Sequence, residues 1–170
     1  VMGNLPLGVI TGVTAGKKKV EFVTSPPIVV YRETITGTAG PVEGKSPNRH
    51  NRFYIELEPM PANHVKAIKD GEVSMDMPAL ERRDKLIELG IDKEQAKNLV
   101  AIEGTNTFFD MTKGIQYLNE TMELIFDGWR EALAGGPLAD EQIQNVLIKL
   151  VDVKLHEDAI HRGPAQVIPA

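Results

Sequence analysis

Residues 114–134 read GIQYLNETMELIFDGWREALA, and this stretch predicts the longest helix of the chain. Its apolar side chains recur every three or four residues, which is the spacing of one helix face. They are Ile115, Leu118, Met122, Ile125, Phe126, Trp129 and Leu133. An apolar stripe of this kind needs a partner surface to cover it, so we expect Phe126 and Trp129 in a core and not in a ligand-binding box.

Segments around this helix predict a sheet and several shorter elements. Alternating or β-branched residues predict strands at 19–24, 28–35, 52–58 and 146–155, with a short extended piece at Phe108 and Phe109. Glycine and proline residues predict a loop over 36–51. Shorter helices are expected from residue 61 or 63 to Lys69, from Pro78 to Leu89, and from an Asp92 N-cap to about Val100. Strands that flank a helical middle predict an α+β sandwich with a mixed sheet and helices on one face.

Composition bounds the class of protein. The chain has 170 residues, 42% of them apolar, which is enough for one domain with a packed core. It has no cysteine, which excludes disulfides, thiolate metal sites and thiol catalysis. No apolar run approaches the roughly 20 residues that cross a bilayer, so we expect a soluble, cytoplasmic protein without a membrane partner.

The charge is uneven along the chain. The net charge is −5, but residues 1–52 carry seven Lys/Arg against three Asp/Glu, a net of +4. Residues 53–170 carry twelve against twenty-one, a net of −9. A basic loop on an acidic body can still contact phosphate locally, because charges are screened beyond about 8 Å at physiological salt.

Four motif searches are negative. No Gly-x-x-x-x-Gly-Lys-Ser/Thr loop is present to cradle nucleotide phosphates. His156 and His161 are five residues apart, whereas the zinc-protease helix requires four. Neither a Gly-x-Ser-x-Gly elbow nor a Gly-x-Gly-x-x-Gly turn after a strand occurs.

The positive signal is the placement of histidines. His50 lies in a polar loop before one predicted strand, and His156 and His161 lie in a polar loop after another. If both loops lie at one end of the sheet, that end displays cations, imidazoles and amides suited to RNA phosphates, riboses and bases. Two other readings stay open: ordinary solvent loops, or a metal site of the three histidines with Glu157 or Asp158. The fourth histidine, His64, is expected on the surface of a short helix.

A resemblance adds to this reading. Residues 155–163, LHEDAIHRG, resemble the diphthamide loop of translation elongation factor 2, the archaeal and eukaryotic translocase. The following residues 164–170, PAQVIPA, are similar to the archaeal form of that family. Blocks at 25–34, 45–52, 110–120 and 136–138 resemble the same family in the same order.

The resemblance implies a fold and a domain division. It implies the ribosomal protein S5 domain 2-like two-layer sandwich, a mixed sheet with helices on one face and a helical insertion. Residues 25–170 would be domain IV, with tip loops at 45–52 and 156–165 and a helical elaboration at 61–104. Residues 1–24 would be the tail end of domain III, although the family's Gly-Met-Gly-Glu-Leu-His-Leu-Glu-type segment here reads VMGNLPLG.

The resemblance also implies a function and site residues. The chain would be a non-catalytic arm that enters the ribosomal A site and contacts rRNA, tRNA and mRNA during translocation. His161 matches the histidine that becomes diphthamide and that ADP-ribosylating toxins attack. The residues expected to contact RNA around it are Lys45, Asn48, Arg49, His50, Arg52, His156, Asp158 and Arg162. Glu157 and Asp158 would orient the loop through hydrogen bonds to backbone amides, or help the diphthamide-synthesis enzymes recognise it.

The resemblance also bears on cofactors, while the histidines and carboxylates of the two loops leave one competing function open. The family binds GTP and Mg²⁺ in a G domain that this chain lacks, so we expect no cofactor and no GTPase activity. We also expect a monomer. The alternative is a His/carboxylate metal-dependent hydrolase. Bound metal in the purified chain would favour that alternative, and wide separation of the three histidines would exclude it. A His161→Ala change is expected to leave folding intact, because a tip loop buries little.

Overall fold

The structure is a computed structural model that describes residues 29–170. The strand predicted at 19–24 and the segment predicted as domain III lie outside the described residues. Residues 31–170 form one compact unit. No helix in this described part combines the length and the apolar character needed to cross a bilayer.

A five-stranded mixed sheet is the centre of this unit. The strands are β1 (Ala39–Lys45), β2 (Arg52–Pro59), β3 (Leu99–Glu103), β4 (Asn106–Asp110) and β5 (Val146–Lys154). Their order across the sheet is β1-β2-β5-β4-β3, with β4 and β5 parallel and all other neighbours antiparallel. The predictions of β2 and β5 are confirmed almost to the residue.

The helices are α1 (Ala62–Lys69), α2 (Ala79–Glu88), α3 (Lys93–Lys97), α4 (Leu118–Ala134) and the short α5 (Pro164–Val167), preceded by a 3₁₀ turn at Ala159–Arg162. The helix predicted from 114 begins four residues later, at Leu118. Its apolar stripe packs on one face of the sheet, where Phe108 contacts Phe126 and Trp129 edge-on with ring centroids 5.6 and 5.3 Å apart. The α+β fold class is therefore confirmed, with α4 covering one face as expected.

The helical insertion covers the other face of the sheet, so helices lie on both faces and not on one face as expected. Phe109 and Leu147 point away from α4, because successive strand residues alternate sides, and they pack with Ala67, Leu86 and Ala96 from α1, α2 and α3. His64 was expected on the surface, but it lies in this layer with 6% of its area exposed. Its Nε2 atom lies 3.0 Å from the backbone oxygen of Leu89, so it joins α1 to the end of α2.

The end of α3 differs from expectation. Asp92 caps α3 as predicted, since its side chain accepts the backbone N–H groups of Glu94 and Gln95. The helix does not continue to Val100, however, and the last part of the segment 61–104 is the edge strand β3. Buried Leu99 and Ala101 alternate with half-buried neighbours, which is the two-residue period of a strand. Pairing with β4 then makes this segment a strand and not the end of a helix.

The first edge of the sheet also differs from expectation. The strand predicted at 28–35 is wrong for its described residues: among 29–35 only Glu33 bridges another segment, pairing with Ile143. The edge position is taken by β1, inside the segment predicted to be a loop. Pro41 is tolerated there because an edge strand has one unpaired side, and the strand is irregular between Ala39 and Val42.

Glu33 explains why its segment leaves the sheet. Its carboxylate accepts the backbone N–H groups of Leu138, Ala139 and Glu141 at 3.0, 2.8 and 3.2 Å. Burial raises the pKa of the Glu33 carboxyl, but the three backbone hydrogen bonds outweigh it and hold that pKa below its usual value. The residue thus anchors the segment to a turn and not to a neighbouring strand.

Candidate functional site

Two loops meet at one end of the two central strands. β2 begins at Arg52 and β5 ends at Lys154, and these two residues are paired across the sheet. The loops at 45–52 and 156–165, which we call the first and second tip loops, therefore lie side by side. Together they form the tip of the domain.

A buried asparagine joins the two loops. Asn51 is fully buried, and its Nδ2 atom donates to the backbone oxygen of His161 at 2.7 Å. Its Oδ1 atom accepts the backbone N–H of His156 at 3.0 Å. This one side-chain amide therefore pairs with the backbone N–H of His156 and with the backbone oxygen of His161, and it fixes the second loop at both residues.

A second set of polar contacts extends this anchoring. Asn48 donates from Nδ2 to the same His161 oxygen at 3.2 Å and accepts the backbone N–H of His50 at 3.1 Å. Its own backbone N–H donates to the Gln166 side chain at 2.9 Å. Buried Ser46 closes the turn, accepting the Asn51 backbone N–H at 3.0 Å. The backbones of all three tip histidines are therefore held by two asparagine side chains.

The three imidazole rings come together above these anchors. The centre of the His50 ring lies 4.8 Å from the centre of the His156 ring and 4.8 Å from that of the His161 ring. The rings of His156 and His161 are 4.5 Å apart, centre to centre. His50 is exposed, while the other two are half-buried. The wide separation that would have excluded a metal site is not observed.

The cations of the first tip loop are not equivalent. Lys45 and Arg52 both form ion pairs with Glu43, at 2.8 and 3.1 Å. Hydrogen bonds from Lys45 and from the Tyr54 hydroxyl hold the pKa of the Glu43 carboxyl below its usual value. Arg49 is exposed and has no ion-pair partner within the part of the chain that the structure describes. It also has a left-handed backbone, with φ of 63°.

Arg162 is placed differently from the expectation that it contacts RNA. Its side chain is 6% exposed and turned inward, with the guanidinium 4.2 Å from the centre of the Tyr117 ring. It donates to the backbone oxygens of His156 and Glu157 and lies 3.3 Å from Glu120 Oε2. All of these contacts are with residues of the same domain, so this arginine holds the second tip loop onto the start of α4.

The acidic residues of the second loop also act differently from expectation. Asp158 orients the loop through its backbone, since its N–H donates to Nδ1 of His156 at 3.1 Å and its oxygen accepts the N–H of His161 at 3.1 Å. Its carboxylate lies 3.9 Å from His156 Nδ1. Glu157 contributes a backbone oxygen, which accepts from Arg162 at 2.6 Å.

The structure adds residues that the sequence reading did not single out. Asn51, Ser46 and Gln166 hold the loops together, and Ile160 places an apolar side chain 83% exposed next to His161. An isoleucine inside a polar loop is a signal that the sequence alone shows. The asparagine contacts have no such signal, because they join residues more than 100 positions apart.

Comparison with known proteins identifies the class. Residues 71–170 match the family model of elongation factor G, domain IV. The match covers more than half of the chain, and the chain belongs to this family of translation elongation factor domains.

Similar proteins point to one member of that class. Over 169 residues, 99% of this chain, it is 73% identical to elongation factor 2 of Methanoculleus marisnigri. Identity is 66% to elongation factor 2 of Methanoregula boonei and 63% to that of Methanosarcina mazei over the same length. The chain spans 23% of the length of each of these relatives. The resemblance to elongation factor 2 stated from the sequence is confirmed.

Proposed function

We propose that the tip is the RNA-contacting surface of an elongation factor 2 and touches tRNA, mRNA and rRNA in the ribosomal A site during translocation. The observation that carries this proposal is the convergence of three imidazoles, beside the exposed cation Arg49, on loops held by buried amides. A rigid display of this kind suits phosphate and base contacts, because little ordering entropy is lost on binding.

Local charge supports RNA contact despite the acidic body. Among residues 29–170 no carboxylate pairs with Arg49, so its charge can bind phosphate, whereas Lys45 and Arg52 both pair with Glu43. Asn48 and Asp158 act mainly by positioning the neighbouring histidines, through hydrogen bonds to the backbone of His50 and His161 and to the ring of His156. Ile160 supplies an exposed apolar side chain of the type that can pack against an unstacked base.

His161 is the proposed site of diphthamide modification and of attack by ADP-ribosylating toxins. Its backbone oxygen is fixed by two asparagines, while its ring is partly exposed beside His50 and His156. An enzyme can therefore reach the ring without unfolding the loop. The diphthamide-synthesis enzymes and the toxins would be partners of this surface. A monomeric state, a cytoplasmic location and the absence of a cofactor stay predictions.

Mass spectrometry of the tip peptide tests the modification. After incubation of the folded chain with diphthamide-synthesis enzymes and their substrates, we expect added mass on His161 and on neither His156 nor His50. The matched control is His161→Gln, which removes the ring and keeps the backbone oxygen that binds Asn51. Added mass on another histidine, or none on a folded chain that has been supplied with the full enzyme set, contradicts the assignment.

Salt dependence of RNA binding tests the contact surface. Arg49→Ala in the chain is expected to weaken binding to an anticodon stem-loop paired with mRNA, and to reduce the slope of log K against log salt by about 1. The matched control is Arg52→Ala. The guanidinium of Arg52 is already paired with Glu43, so its removal is expected to change the slope less. Equal slopes for Arg49→Ala and the unaltered chain contradict a phosphate contact at Arg49.

The metal-hydrolase alternative is less well supported. The three rings are close enough for it, but hydrolysis also needs a concave substrate site next to the ligands. A cavity of about 440 Å³ lies between α4 and the sheet, but apolar residues such as Phe53, Trp129 and Leu150 line it, and none of the three tip histidines does. The family match favours RNA contact as the function.

A further inference from the structure

The second tip loop brings together donor atoms that suit a metal ion. One ligand atom each from His156, Asp158 and His161 can be chosen so that all lie within 4.8 Å of one another. His50 adds a third imidazole from the first loop, with its ring centroid 4.8 Å from each of the other two. Three donor atoms of the second loop thus lie close to one another at the end of the sheet, with the ring of His50 beside them.

We propose that the unmodified tip binds one divalent transition-metal ion of the zinc class through His156, Asp158 and His161, with His50 as a fourth ligand. Imidazole and carboxylate donors without a thiolate match Zn²⁺, Ni²⁺, Co²⁺ and Cu²⁺ better than Mg²⁺ or Ca²⁺, which favour oxygen atoms alone. The inference is independent of the RNA-contacting role, since it rests on donor geometry alone.

The distances require only a small closure. Metal–ligand distances of about 2.0–2.2 Å place tetrahedral donors about 3.4 Å apart. Donors now within 4.8 Å must therefore approach by up to about 1.5 Å, which side-chain rotations in exposed loops can supply. The Nδ1 atom of His156 accepts the backbone N–H of Asp158 at 3.1 Å, so Nε2 is the atom of this ring that is left to bind an ion.

The surrounding structure holds the ligands in place before any ion binds. The Asn51 side chain fixes the backbones of His156 and His161, and Asn48 fixes those of His50 and His161. Anchors of this kind limit the ordering that metal binding has to impose on the loops. A bound ion would add two positive charges at the tip and leave any open position to water or a phosphate oxygen.

Calorimetric titration of the unmodified chain with Zn²⁺ tests the site. We expect binding of one ion per chain, weakened at least about tenfold by His161→Gln and by Asp158→Asn. The matched control is Glu157→Gln, which removes a neighbouring exposed carboxylate outside the cluster and is expected to change the affinity less than about twofold. Circular dichroism of each variant checks that the fold is intact.

A second measurement needs no variant. Co²⁺ should give the visible absorption of a four- or five-coordinate site, and one equivalent of Zn²⁺ should abolish it. Absence of one-to-one Zn²⁺ binding, or equal affinity for the chain and its His161→Gln variant, overturns the proposal. A six-coordinate Co²⁺ spectrum overturns the assigned ligand set. Both results leave the RNA-binding test with Arg49→Ala unaffected, so failure of this inference and failure of the proposed function can be distinguished.

Discussion

Asn51→Ala is expected to lower the free energy of unfolding by about 2–4 kcal/mol, a large loss for a change in a surface loop. The substitution leaves the backbone N–H of His156 without its partner beside a residue with no exposed surface, which costs about 1–3 kcal/mol. It also removes the shorter of the two hydrogen bonds to the backbone oxygen of His161, which keeps only the one from Asn48 at 3.2 Å, a further loss of about 1 kcal/mol. The two tip loops should also separate, which scatters the three imidazoles.

Urea denaturation followed by Trp129 fluorescence measures this loss. Asn51→Asp is an informative partner, because it keeps the acceptor for His156 and replaces the donor to His161 by a second acceptor. His161→Ala is the matched control, since it removes a ring and leaves the anchored backbone oxygen, so it should change stability by less than about 1 kcal/mol. If Asn51→Ala costs no more than His161→Ala, the asparagine is not what joins the loops.

Arg162→Ala is expected to cost about 3 kcal/mol, because it removes one side chain that satisfies two backbone oxygens and packs over an aromatic ring. Arg162→Lys should recover less than half of the loss. A lysine presents one ammonium group and cannot reproduce the planar fork that reaches His156 and Glu157 together. The loss should change little with salt, since these contacts are largely shielded from solvent.

Arg130→Ala provides the comparison for Arg162. Arg130 lies on the exposed side of α4, 47% exposed, with ion pairs to Asp127 at 2.9 Å and Glu103 at 3.8 Å. Exposed pairs contribute little, so this change should cost at most about 1 kcal/mol. The same denaturation experiment covers both variants. Equal losses for Arg130→Ala and Arg162→Ala would show that the internal contacts of Arg162 do not hold the tip.

The parts of the fold that the sequence predicted are those with a local pattern. The stripe in 114–134 and the alternation in β2 and β5 each repeat within one element, so spacing alone identifies them. β1 was missed because Gly40, Pro41 and Gly44 are typical of turns, and only its position at the sheet edge makes them tolerable in a strand. The segment around Glu33 has strong β propensity, but a carboxylate contact with a distant turn outweighs it.

The site was predictable in its residue types and not in their orientation. The two polar loops and their histidines stand out in the sequence, and the antiparallel pairing of β2 with β5 brings them together. Whether an arginine side chain faces solvent or the interior depends on contacts with residues far away in the sequence. Arg49 and Arg162 look alike as loop cations, yet one is exposed and the other lies against Tyr117.

The pairing of β2 with β5 also sets the time at which the tip can form. Asn51 and His156 are 105 positions apart, so their contact closes a loop that contains most of the domain. Such closure is slow compared with formation of helices or the β1–β2 hairpin. In a chain emerging from a translating ribosome, the three histidines assemble only after β5 has been synthesised and docked. Any enzyme or ion that needs the assembled cluster therefore acts only after β5 has docked, and not on chains whose synthesis has not yet passed β5.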